Sequence, residues 1–244
     1  MNTALKKTFI LLTIFGFGTL LHAQPGSYIS LKQRTEILEN KNKLTNDVDL
    51  FYDANKQIVT RFYHSSPEYI MIANALGEIK TYYPAENEVV YKQIAGMSSK
   101  KNLIYYFTNN LTDHLGLADE GFKLVSNTFE DQYYVTLWEA PDVLHGINGI
   151  ETVKMVFDNG LPFYSEYKAS QDKILRKIYY LNYNDYKRFR LPSKIIEISY
   201  LPKGDSIISR TVFSDVKVSS TPDNSYFNFK IPENAKPLNT GENK

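Results

Sequence analysis

Residues 151–168, ETVKMVFDNGLPFYSEYK, decide the fold of this chain. Apolar and polar side chains alternate along the first half of the stretch, with Val153, Met155 and Phe157 on one side. This period of two is typical of a β-strand with one buried face. Asp158-Asn159-Gly160 is the strongest turn signal in the sequence, and a second strand-like run follows it with Leu161, Phe163 and Tyr167 on one face. The stretch therefore predicts a β-hairpin.

The same kind of pattern recurs along most of the chain. Further runs, among them residues 78–83, 206–218 and 226–231, bring the total to about ten to twelve predicted strands. Most of the connections are short, and short connections force neighbouring strands to pair antiparallel. A sheet of that many twisted strands must curl or close. The sequence predicts a mostly β (α+β) fold.

Two segments have helical spacing instead. Residues 30–44 carry an imperfect apolar stripe, and residues 99–115 carry a clearer one at Leu103, Phe107 and Leu111. Gly116 stands where a glycine commonly ends a helix. We expect these two helices to lie across the mouth of the curled sheet, where they would enclose an apolar space.

The N-terminus has the features of an export signal. Lys6 and Lys7 precede an apolar run over residues 8–21, and Ala23 supplies a small residue before a cleavage site. This predicts a signal peptide over residues 1–23, cleaved after Ala23. Gln24 stands where a lipoprotein would need a cysteine, so we expect a soluble periplasmic protein with one domain over residues 24–236 and a flexible tail over residues 237–244.

Charge and composition exclude several function classes. Removal of Lys6 and Lys7 with the signal leaves 26 basic against 27 acidic residues, a net charge of −1. A chain so close to neutral has no general attraction to nucleic acid or to anionic membranes. It also has no cysteine, which excludes thiolate catalysis and cysteine-based zinc sites.

No arrangement of residues in the sequence points to catalysis. His64, His114 and His145 have no partner at metal-ligand spacing, and none of the common catalytic or nucleotide-binding motifs occurs. We therefore expect no metal, no cofactor and no enzymatic activity. The adjacent Glu130-Asp131 pair stands at a turn, which does not indicate a glycosidase dyad. An exported hydrolase with a site made from separated carboxylates remains open as a rival.

Several motifs in a fixed order carry a family resemblance. They are an aromatic-Pro-strand-Gly-Tyr-Pro series over residues 62–90, VKMVFDNGLP over 153–162, LPSKI over 191–195 and FNFKIP over 227–232. Together they resemble the LolA family of periplasmic carriers of outer-membrane lipoproteins, over roughly residues 30–235. The resemblance implies an incomplete antiparallel β-barrel with helices as a lid.

The resemblance also implies a function. The apolar interior would hold the acyl chains of lipoproteins or another lipid, since their removal from water is favourable by about 0.8 kcal/mol per CH₂ group. An inner-membrane transporter would deliver the cargo and an outer-membrane receptor would accept it. We expect a monomer. The alternative is a non-enzymatic envelope assembly or scaffold protein that uses the same fold without lipid transfer.

Candidate site residues follow from this interpretation. The acyl-chain cavity would be lined by six residues, unless they are plain core: Phe62, Met71, Phe107, Met155, Phe157 and Phe163. Family carriers have an Arg-Pro pair in an early strand that controls transfer, but residues 55–58 of this chain read NKQI. Lys56 and Arg61 are the candidates for that role at the rim, and strand parity places them on opposite faces.

Overall fold

A computed structural model describes residues 28–238 apart from Asn148 and Lys203, with the backbone alone at residues 95 and 145–147. The predicted signal peptide therefore lies outside the described residues, as does the chain beyond Leu238. Pro237, where the predicted tail begins, belongs to a short strand.

The described chain is built around one unclosed sheet of 14 strands. The strands are β1 (Tyr28–Glu39), β2 (Asn42–Asp53), β3 (Gln57–Phe62), β4 (Tyr69–Asn74), β5 (Glu78–Tyr83), β6 (Glu88–Gln93), β7 (Lys123–Glu130), β8 (Tyr133–Glu139), β9 (Thr152–Asp158), β10 (Leu161–Lys168), β11 (Ile174–Asp185), β12 (Arg190–Tyr200), β13 (Ser206–Ser219) and β14 (Lys236–Pro237). Two short helices are present, α1 (Leu103–Thr108) and α2 (Asp142–Ile147). The predicted mostly β fold, an incomplete antiparallel barrel, is confirmed.

The sheet consists of two meanders joined at its centre. Strands β1 to β6 form one meander and β7 to β13 form the other, and β1 pairs antiparallel with β13 between them. Strand β7 forms one edge of the sheet, while β14 pairs parallel with β6 at the other edge. Residues 94–122 connect β6 to β7 and therefore cross from one edge region to the other.

This crossing segment defines the two faces of the sheet. We call the face on which α1 packs the inner face and the opposite one the outer face. The inner face buries two hydrophobic clusters, one around α1 and the central strands and one around Trp138, Val153 and Met155. The outer face of β2 to β6 is covered by the segment around Phe227, which forms a third cluster with Phe51 and Val59.

The hairpin predicted from residues 151–168 is confirmed. Strands β9 and β10 pair antiparallel, and Asn159 and Gly160 have φ angles of 49° and 77° in the turn between them. Both angles lie in the left-handed region that asparagine and glycine tolerate. Val153 and Met155 are fully buried, as their alternation predicts.

The helix predicted over residues 30–44 is wrong. The chain there forms β1, a tight turn at Asn40 and Lys41, and the start of β2. Ile29 and Leu31 face the core, but Gln33 is next on the same face of β1. The apolar alternation stops halfway along the strand, and the remaining apolar residues then fit a helical spacing by chance.

Two other predicted elements differ from the structure. The helix predicted over residues 99–115 is confirmed only for the six residues of α1, because Asn110 takes a positive φ just beyond it. The strand predicted over residues 226–231 is instead a 3-10 turn over Ser225–Asn228 that packs Phe227 against the outer face. Helix α2 was not predicted.

Candidate functional site

A cavity of about 240 Å³ lies between α1 and the inner face of the central strands. It is bounded by residues of β1, β2, β3, β12 and β13 and by the start of α1. Its lining comprises Gln33, Leu50, Ile58, Asn102, Leu103, Ile104, Ile195, Glu197, Ser209, Thr211 and Phe213. The cavity is partly open to solvent and its lining is mostly apolar, and we treat it as the candidate site.

The strand register explains why these side chains meet. Directly opposed residues in an antiparallel pair point to the same face. Gln33 lies opposite Phe213 of β13, and Thr211 lies opposite Ile195 of β12. Gln33 and Phe213 form one inner-face row, and Thr35, Thr211 and Ile195 form the next row across β1, β13 and β12. The cavity lies where residues of these two rows face the start of α1.

The cavity has an apolar side and a polar side. Leu50 and Ile104 are buried within the first inner cluster. On the polar side the Gln33 amide donates to the Thr35 hydroxyl over 3.2 Å, and the hydroxyls of Thr35 and Thr211 lie 3.1 Å apart. The space can accept an apolar chain at one end and hydrogen-bonding groups at the other.

A charged group continues this polar side. The Ser199 hydroxyl donates to Glu197 over 3.2 Å, and Arg176 lies 3.8 Å from the same carboxylate. The Arg176 guanidinium also stacks over the Tyr167 ring at 3.9 Å from its centre. Burial raises the pKa of Tyr167, so its ring stays neutral at physiological pH. The polar side therefore continues from Glu197 into an ion pair with Arg176.

Helix α1 is held by its cap and by its aromatic contacts. The Asn102 side chain accepts a hydrogen bond from the backbone N–H of Tyr105 over 2.9 Å. Phe107 is 1% exposed and its ring lies 5.9 Å from that of Tyr183 and 6.3 Å from that of Tyr180. A helix of six residues has little stability of its own, so these contacts keep it in place.

The structure places five of the six predicted cavity residues on the inner face, in three separate groups. Phe107 belongs to the cluster around α1, while Met155 and Phe157 are buried in the second inner cluster beneath residues 115–122. Phe62 and Met71 lie on β3 and β4, where they are half-buried, and Phe62 stacks on Tyr69 with 4.2 Å between ring centres. None of the six lines the 240 Å³ cavity.

Phe163 is separated from the others. It is the extra residue of a bulge between Pro162 and Tyr164, and this bulge turns it to the outer face. There it is 38% exposed and stacks on Tyr133 at 6.2 Å. The simple alternation of β10 does not reveal the bulge.

Lys56 and Arg61 occupy different surroundings. Lys56 is exposed in the turn between β2 and β3. Arg61 lies opposite Asp49 on the outer face and donates to Glu68 over 2.8 Å, with its guanidinium 5.6 Å and 5.7 Å from the rings of Tyr63 and Tyr226. Neither residue is among those that line the cavity.

Sequence patterns alone do not reveal the polar residues of the cavity. Because residues 30–44 are predicted as a helix, the sequence does not indicate that the Gln33 side chain lies on the inner face of a sheet. Glu197, Ser209 and Thr211 do sit at alternate positions of predicted strands, but polar residues at such positions are normally taken as solvent-facing. The one signal that these residues face inward is that, by alternation, they share a strand face with Ile195 or Phe213.

Two other kinds of site are absent from the described residues. No group of three or more His, Cys, Asp or Glu side chains within residues 28–238 is close enough together to hold a metal ion. Among the helices of that same part of the chain, none has the length and apolar character needed to cross a membrane.

Comparisons with known proteins identify the fold. No protein-family model matches the sequence, and no curated protein matches it. Solved structures do match. A LolA superfamily protein from Nitrosomonas europaea is 16% identical, with a TM-score of 0.53 over 84% of this chain and 90% of that one.

Two further structures agree with it. A DUF1329 family protein from Desulfovibrio piger is 12% identical, with a TM-score of 0.55 over 82% of this chain and 89% of that one. A domain assigned to outer membrane lipoprotein sorting, from Vibrio parahaemolyticus, is 12% identical, with a TM-score of 0.53 over 84% of this chain and 91% of that one. The chain therefore has a LolA-like fold.

Proposed function

We propose that this protein is a periplasmic carrier that binds the acyl chains of lipoproteins, or of another lipid, on the inner face of its sheet. The observation that carries the proposal is the cavity between α1 and the central strands, which is apolar beside Leu50 and Ile104 and polar beside Gln33 and Thr211. An acylated ligand has the same division between an apolar chain and a polar end.

The size of the cavity suggests how binding would occur. Its 240 Å³ is below the range of about 300–1,000 Å³ that is usual for pockets of small-molecule ligands. One slender chain would fit, and a larger cargo would need more room. Movement of α1 would supply that room, because the helix is short and buries only three side chains, those of Ile104, Tyr106 and Phe107.

The wider context supports the same proposal. A solved structure with this fold is assigned to outer membrane lipoprotein sorting, and the N-terminal sequence has the features of an export signal. We propose a non-enzymatic role, in which cargo would be received from an inner-membrane transporter and passed to an outer-membrane receptor. Neither Lys56 nor Arg61 lines the cavity, so transfer would not require either side chain to contact a chain held there.

A binding measurement with a cavity-filling variant tests the proposal. A fluorescent fatty acid is titrated into the delipidated protein. Ser209→Phe places a ring in the cavity, while Ile208→Phe places the same ring on the outer face of the same strand. We expect Ser209→Phe to weaken binding by about tenfold or more, which corresponds to about 1.4 kcal/mol, and Ile208→Phe to bind like the unchanged protein.

Two outcomes would contradict the proposal. If the unchanged protein binds no fatty acid and carries no lipid when it is purified from its host, the carrier function is wrong and the scaffold alternative gains support. If both variants bind as tightly as the unchanged protein, the ligand lies elsewhere than this cavity. Circular dichroism of each variant establishes that the fold is retained.

A further inference from the structure

Strand β7 presents an open edge. All eight of its residues are exposed, and within the described chain it pairs with β8 alone. The opposite edge of the sheet is different, since β14 pairs there with Glu88 and Val89 of β6 and contributes Pro237, a residue that cannot donate a backbone hydrogen bond. An open edge strand is a template for pairing with another chain.

The exposed side chains of β7 are unusually apolar for a solvent-facing edge. Phe129 is 73% exposed, Val125 is 51% exposed and Leu124 is 46% exposed. Lys123 and Glu130 stand at the two ends of the strand and carry opposite charges. An apolar stretch between opposite charges can match an antiparallel copy of itself.

The register of β7 against β8 fixes the face of each side chain. Leu124, Asn127 and Phe129 lie opposite Trp138, Thr136 and Tyr134, which belong to the inner face. The residues on the outer face are Lys123, Ser126, Thr128 and Glu130. Val125 is the extra residue of a bulge between Leu124 and Ser126.

We propose that two copies of this chain dimerise by antiparallel pairing of their β7 strands, with the two-fold axis at Asn127. Val125, the bulge residue of each copy, then has no partner, and the two side chains of every pair lie on the same face of the sheet. Lys123 lies opposite Glu130 of the second copy, Leu124 opposite Phe129, Ser126 opposite Thr128, and Asn127 opposite Asn127.

This pairing is complementary at every position. The charged pairs at both ends attract, and the Leu124–Phe129 pairs remove exposed apolar surface from water on the inner face. Because the contact is isologous, it occupies the β7 edge of both copies, and assembly through this edge stops at two copies. One pair of edge strands buries less than the roughly 1,200 Å² of a standard stable interface, so the dimer is of low affinity. The proposal is independent of lipid binding and replaces the expected monomer.

Cysteine cross-linking tests the register, because the natural chain contains no cysteine. Opposed residues in an antiparallel pair have Cα atoms about 4.5–5.5 Å apart, which is within the range of a disulfide. Asn127→Cys would therefore cross-link two copies under mild oxidation. Lys123→Cys is the matched control, since its two copies would lie about 20 Å apart at a rise of about 3.4 Å per residue.

We expect a disulfide-linked dimer for Asn127→Cys and at least tenfold less for Lys123→Cys. Sedimentation of the unchanged protein at about 200 µM should show a dimer, as fits a small interface. Phe129→Glu should be folded and monomeric there. Equal cross-linking of the two cysteine variants, a monomer at that concentration, or a Phe129→Glu dimer would each overturn the proposal.

Discussion

Two phenylalanines that the sequence treats alike should behave very differently on truncation. Phe107 and Phe163 were both predicted to line the interior, but Phe107 is 1% exposed between Tyr180 and Tyr183, whereas Phe163 is 38% exposed on the outer face. Removing a buried phenylalanine ring costs about 3–5 kcal/mol, because apolar contacts are lost and a void remains. An exposed ring costs less than about 1 kcal/mol. We therefore expect Phe107→Ala to be strongly destabilising and Phe163→Ala to be nearly neutral.

Urea unfolding measures the difference. The chain has one tryptophan, Trp138, which is buried in the second inner cluster and reports unfolding by fluorescence. With an m-value of about 2–3 kcal/mol per molar urea, Phe107→Ala should lower the midpoint by about 1–2 M. Phe107→Leu, which retains most of the volume, should lose less than half as much.

The result also tests how firmly α1 is docked. If Phe107→Ala lowers the free energy of unfolding by less than about 1 kcal/mol, the helix leaves the sheet at little cost and the packing described above does not hold it. If Phe163→Ala costs as much as Phe107→Ala, the assignment of the two rings to opposite faces is wrong.

Three further predictions concern other parts of the fold. Arg61→Ala should lower the free energy of unfolding by about 1 kcal/mol, since it removes an ion pair and ring contacts, and Lys56→Ala should change it by less than about 0.5 kcal/mol in the same urea titration. Gly116→Ala should lower the melting temperature by several degrees in a calorimetric scan, because Gly116 has a φ of 91° and a side chain there would strike a tyrosine ring; an unchanged melting temperature would contradict this. Burial raises the pKa of Tyr52 and of Tyr106 from 10.0 to about 12, so the folded chain holds protons that the unfolded chain releases, and stability should fall as the pH rises from about 10 to 12. Urea midpoints across that range that do not decline would refute the last prediction.

The sequence predicts those strands in which the alternation of apolar and polar residues reflects burial in the core alone. Strand β5 has the predicted bounds, Glu78–Tyr83, and the β9–β10 hairpin follows from apolar alternation and an Asn-Gly turn. The sequence does not predict strand β1, because its inner-face side chains change from core residues at Ile29 and Leu31 to a cavity residue at Gln33. A polar side chain that faces a cavity occupies a core-facing position of its strand. The local sequence pattern does not distinguish it from a polar side chain that faces solvent.

The candidate site is harder to predict from the sequence than the fold, for the same reason and for a second one. The six predicted cavity residues are large and apolar, and in a β-rich chain such residues more often fill the core, as Met155 and Phe157 do. The cavity instead forms where small or polar side chains such as Ser209 leave space beneath α1. That space depends on the path of residues 94–122 across the sheet, which only the tertiary structure gives.

The central pairing of β1 with β13 has a consequence for biosynthesis. Thr35 and Thr211 are hydrogen-bonded neighbours although they lie 176 residues apart in the chain. Strand β1 can therefore pair along its second edge only after β13, the last long strand, has been synthesised. Pairings between such distant segments form slowly. A chain released before β13 would hold two meanders with no strand to join them. The sheet is therefore joined at its middle by a strand made near the end of synthesis, so it cannot be complete until almost all of the described chain is available.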